Sequence, residues 1–162
     1  MYYLAEITPD DFKSGGSSSA IRNPRRYVVA SVCDDKDRDS ARVWKQLHAI
    51  NANYQQKAAE AVFYLVKLAQ VGTPLAGLLD GKALHEAHSF HSQVSKRTEK
   101  IWRYRRGDIR VLFYYGDGKI VLLTGVLVKL EDKFSKRDLT EAEKAIDAYL
   151  GACACWAVRW AE

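Results

Sequence analysis

Cysteine is scarce: the chain has three, Cys33 and the closely spaced Cys153 and Cys155, with no partner pattern among them. An odd count without a framework excludes a disulfide-stapled secreted domain and fits a reducing cytoplasm. One residue between Cys153 and Cys155 is too short an interval for zinc-ligand spacing, so the pair reads as small apolar side chains. No apolar run approaches the ~20 residues that a membrane span needs. Glu6 and Asp10 break the opening segment, so no secretory leader is expected. Internal repeats are absent, and so is a carboxylate cluster of the kind a catalytic metal needs.

The 162 residues are enough for one domain with a core, and no second domain is expected. The net charge of +5 is unevenly spread. Asp34–Asp39 leans acidic, whereas Lys96, Arg97, Lys100, Arg103, Arg105, Arg106 and Arg110 face only Glu99 and Asp108 in one short stretch. Local basicity rich in arginine and interleaved with aromatics points to a polyanion, nucleic acid first. The plainer alternative is a strand edge guarded by charge against aggregation.

Three runs rich in β-branched and aromatic residues fill 101–133, separated by Gly107-Asp108 and by Gly116-Asp117-Gly118. Such runs joined by Gly/Asp turns predict an antiparallel three-strand meander. Alternation places Ile109, Val111, Phe113 and Tyr115 opposite Arg110, Leu112 and Tyr114, and sets Trp102 and Tyr104 opposite Arg103 and Arg105. Earlier in the chain, Tyr2–Ile7 is a candidate short strand, and 14–19 is a Gly/Ser run with nothing to bury. Residues 1–25 therefore read as a flexible extension, 26–150 as the domain and 151–162 as a tail. Tyr27–Val32 predicts a buried strand. A helix is expected from about Ala41, with Trp44, Leu47 and Ile50 at three-residue spacing, and the stripe continues through Tyr54, Ala58, Ala61, Val62, Leu65 and Leu68. Asn51-Ala52-Asn53 should break it into a helical hairpin, and Gly72-Thr73-Pro74 should end it. Trp44, Tyr54, Phe63 and Tyr64 are assigned to the core.

The segment 75–99 reads as the least regular. His85, His88 and His91 lie three apart and would roughly share a helix face, but a zinc helix spaces two histidines by four around a glutamate. A surface loop, or a histidine serving as proton carrier beside the basic strands, competes with a metal site. Thr140 and Glu143 fit a capping box for a helix ending near Leu150 at Gly151, and Trp156 and Trp160 suggest a short further helix.

In this order the α+β chain resembles the RelE/HigB/ParE superfamily of type II toxins, in its phage-type HigB branch, over about 27–150. The resemblance rests on Trp102-Arg103-Tyr104-Arg105, on Ile109-Arg110-Val111-Leu112-Phe113-Tyr114, and on Val128-Lys129-Leu130-Glu131-Asp132-Lys133 before a Glu/Ala-rich helix. It differs in having Leu130 for a second lysine, Ser135 for a proline, and no Tyr or His just after the last strand.

The resemblance implies a RelE-like fold: an N-terminal strand, a helical hairpin, the meander and a C-terminal helix. It also implies ribosome-dependent cleavage of messenger RNA by attack of a 2′-OH on the adjacent phosphate, without metal or cofactor. Such a step needs proton acceptance, proton donation and cations against transition-state charge. By match to the family, Arg110 and Arg105 would hold phosphate, and Lys129 and Lys133 would stabilise charge or shuttle a proton. Lys100, Arg103, Arg106 and Lys136 would bind RNA backbone. A cognate antitoxin covering the basic face, an oligomer formed with it, the ribosome and messenger RNA are the implied partners; no membrane is. The alternatives are a ParE-like gyrase inhibitor, an inactive phage-derived binding protein on the same fold, and, for Arg110, a structural ion pair with Glu141 or Glu143.

Overall fold

Chain reversals fall where backbone conformation demands glycine. Gly107 at φ 57° and Gly118 at φ 74° close the two turns of the basic region, a left-handed geometry that a side chain disfavours. The structure, a computed structural model, describes residues 1–12, 26–129 and 133–162. The Gly/Ser run at 14–19 and residues 130–132 of the exit from the last meander strand lie outside these.

The elements in order are β1 (Tyr2–Glu6), β2 (Val28–Cys33), α1 (Arg42–Ala49), α2 (Ala52–Gln70), β3 (Leu84–His91), β4 (Thr98–Arg106), β5 (Ile109–Gly116), β6 (Ile120–Val128), α3 (Lys136–Ala154) and β7 (Val158–Trp160). The fold is α+β, with a mixed sheet of seven strands in the order β3-β4-β5-β6-β2-β1-β7. β3 through β6 pair antiparallel in succession, β2 runs parallel to β6, and β7 runs parallel to β1. The sheet is thus larger than the three-strand meander expected.

Both faces of the sheet are covered. Val43 and Leu47 of α1, and Ala58, Ala61, Val62 and Leu65 of α2, pack with Ala5, Val111 and Phe113 on one side. Ala142, Ile146 and Tyr149 of α3 pack with Leu4, Ile101, Leu112, Tyr114 and Leu122 on the other. β5, in the middle, is buried from Ile109 to Tyr114, which explains its near-continuous apolar run. Asn51 caps α2, its side chain accepting from the Asn53 amide, so the expected break between α1 and α2 has its cause in cap chemistry.

Four expectations are corrected. First, residues 2–7 belong to the body rather than to an extension. β1 pairs with β2 from Tyr3↔Cys33 to Glu6↔Ala30, and Leu4, Ala5 and Ile7 are buried. Alternate side chains of β1 reach opposite cores, so a short strand can carry apolar residues on both sides. Second, the histidine segment is strand β3, not helix or loop. Third, α3 starts earlier and ends later than read. Ser135 is its N-cap, accepting from the Asp138 amide, and the helix runs through Gly151 to Ala154. The tail then enters the sheet as β7 instead of forming a helix. Fourth, Tyr64 is exposed rather than part of the core.

Candidate functional site

Strand parity sorts the basic residues before any tertiary contact does. On β4, Arg103 and Arg105 share the α3 face with Ile101, while Lys100 and Arg106 share the other face with Trp102 and Tyr104. Arg110 on β5 lies on the α3 side with Leu112 and Tyr114, directly across from Arg105 in the β4–β5 register. β3 adds His85, the register partner of Arg103.

These side chains line one cleft of about 500 Å³ together with Lys133 and Phe134, which precede α3. Arg103, Arg105, Arg110 and Lys133 contribute four cations, and the described lining residues include no carboxylate. Clustered like charge lowers the cost of receiving an anion.

Arg103 is buried, with 6 % of its surface exposed. Its Nη2 donates to the Lys82 carbonyl at 3.2 Å and to His85 Nδ1 at 2.5 Å, while its buried Nε has no partner. Burial first, then the charges of Arg110 and Arg105, lower its proton affinity from the ordinary guanidinium value. Arg110 is equally buried, and its Nη1 donates to the Gly107 and Ile109 carbonyls at 2.6 and 3.1 Å, which fixes the guanidinium against its own turn. Arg105 is exposed at the same face. Lys129 Nζ lies 4.1 Å from the centroid of the Phe134 ring, so a fifth cation borders the cleft through that ring. The two carboxylates considered as structural partners of Arg110 are engaged elsewhere: Glu143 with His88 at 2.8 Å and Glu141 with Arg137 at 3.3 Å.

The remaining assigned residues do not converge here. Arg106 stacks 3.9 Å from the centroid of Tyr64 on α2, on the opposite face, and Lys100 pairs with Glu86 of β3 at 3.2 Å. Lys136 is exposed in the first turn of α3. His88 ties β3 to α3 through Glu143, and His91 is exposed at the end of β3. Among the described residues no group of three or more His, Cys, Asp or Glu side chains could hold a metal ion.

Sequence reasoning missed His85 and Phe134 as members of the cleft. Register carries His85 there, since β3 sits beside β4 with His85 opposite Arg103. No protein-family model matches the chain, and no curated protein matches it.

Proposed function

We propose that this chain is a toxin of the RelE/HigB type, an endoribonuclease that cleaves messenger RNA on the ribosome and arrests growth. The observation that carries the reading is the convergence of Arg103, Arg105, Arg110 and Lys133, from two neighbouring strands and the segment leading into α3, on one cleft. Guanidinium forks on rigid strands suit phosphate oxygens, which they meet bidentately. In the proposed reaction the ribose 2′-oxygen bonds to the adjacent phosphorus and the bond from phosphorus to the 5′-oxygen breaks. The 2′-OH proton passes to a base, the departing 5′-oxygen gains a proton, and a 2′,3′-cyclic phosphate remains. Arg110 and Arg105 hold the non-bridging oxygens as charge builds, and Lys133 meets the leaving oxygen at the mouth. The need for a 2′-OH restricts the substrate to RNA. An antitoxin with acidic side chains, covering the same cleft, completes the reading.

One observation favours a second reading, an inactive relative that binds the polyanion without cutting it: Arg103 occupies the Nδ1 lone pair of His85, the imidazole in the cleft. Expression of the wild-type chain beside Arg110→Ala tests both. Growth arrest with RNA fragments ending in 2′,3′-cyclic phosphate, lost in the folded variant, supports cleavage. Arrest without fragments turns the reading to binding, with gyrase the next target to assay.

A further inference from the structure

His85 makes two contacts through one nitrogen, and they are incompatible. Nδ1 lies 2.5 Å from Arg103 Nη2 and 3.1 Å from the Gly81 carbonyl oxygen. The carbonyl could only accept a proton from Nδ1, whereas the guanidinium has donors and no acceptor. An N–H on Nδ1 would point at the N–H of a permanent cation at the shorter distance. The lone pair therefore faces Arg103, and the ring proton belongs on Nε2. Arg103 is itself well placed to enforce this. It is buried and held by the Lys82 carbonyl, and it lies opposite His85 in the strand register.

We propose that His85 is the hydrogen-bond donor of the cleft, presenting Nε2–H to a phosphate oxygen, and that Arg103 is the positioning residue that fixes its tautomer. The proposal rests on the phosphate-binding reading of this cleft, but it assigns His85 the opposite of a proton-accepting role. The exposed imidazole lines the same cavity as Arg105, Arg110 and Lys133, so its donor adds direction where those side chains add charge. Arg103 acts through the ring: its Nη2 is committed to Nδ1 and to a backbone carbonyl, and its Nε is buried. The arrangement parallels a metal-binding histidine oriented by the group on its other nitrogen, with an anion in place of the metal.

The test is nitrogen NMR of the imidazoles in the full chain, followed by titration with inorganic phosphate. Wild type is expected to show His85 protonated on Nε2, with the Nε2–H signal moving as phosphate binds. Glutamine places an amide donor near the position of Nε2, so His85→Gln should keep phosphate affinity within about twofold. His85→Ala should weaken it about tenfold, the value of one hydrogen bond to a charged group. A folded Arg103→Met protein, which keeps an apolar stem and has no donor for Nδ1, should show both tautomers. His85 protonated on Nδ1 in wild type, or equal phosphate affinity for wild type and His85→Ala, overturns the proposal. Because His85 is exposed, its variants decide the matter even where Arg103→Met does not fold. These readouts are independent of cleavage: phosphate binding through His85 with intact RNA would defeat the nuclease reading alone.

Discussion

Replacing Arg105 by glutamine should move stability and RNA affinity in opposite directions. Arg105 lies directly opposite Arg110 across β4 and β5, and both share a face with buried Arg103. Like charges facing each other on an antiparallel pair cost about 0.2–1 kcal/mol. The cost falls partly on Arg103, whose proton affinity is lowered by burial and then by Arg110 and Arg105. Arg105→Gln keeps most of the apolar stem and removes the charge, so the folded state should gain about 0.5 kcal/mol. In a domain of this size that is a rise of about 1–2 °C in Tm. With RNA phosphate bound as proposed, the same change removes one phosphate contact. Affinity for a short single-stranded RNA should fall about tenfold at low salt, and the slope of log affinity against log salt should drop by about 0.7. Thermal unfolding and fluorescence anisotropy of a labelled oligonucleotide over a salt series measure the two effects. A loss of more than about 1 kcal/mol would make Arg105 a structural residue. Unchanged affinity and slope would remove it from the phosphate site.

Leu4→Ala should destabilise the protein by about 2–5 kcal/mol in urea unfolding, because Leu4 is fully buried among the residues beneath α3. A dispensable N-terminal extension would instead show no loss. At alkaline pH the half-buried tyrosines Tyr2 and Tyr115 should drive unfolding. Burial first raises both from the ordinary value of 10.0 to about 12. Between those values the unfolded phenols ionise while the folded ones do not, so the unfolded state binds fewer protons and stability falls as pH rises from about 10 to 12. Chemical unfolding at successive pH values should show that decline, and Tyr115→Phe should make it shallower; an identical slope in the variant would contradict it.

The meander region was legible because alternation and turn chemistry agree there. The parity of Arg103 and Arg105 against Trp102 and Tyr104 predicts the faces that the strands adopt. Grouping Lys100 and Arg106 with the site followed charge density along the chain and ignored the same parity, which sends both to the α1–α2 side. The histidines misled for a local reason. Spacing by three imitates a helix, but a register shift between Glu86 and His88 lets His85 reach Arg103 and His88 reach α3 from one strand. Convergence of Lys133 and His85 with the arginines depends on pairing and packing between distant segments, which no local pattern encodes. The incorporation of β1 and β7 was hidden similarly: each is short, and only the neighbouring strand makes it a strand.

We propose that the cleft on the α3 face cuts messenger RNA. Primer extension on cellular messages after induction of the wild-type chain, beside a folded Arg110→Ala control, tests it most directly. Discrete breaks within translated regions are expected for the wild type and none for the variant. Intact messages during growth arrest, or the same breaks from the variant, would contradict it.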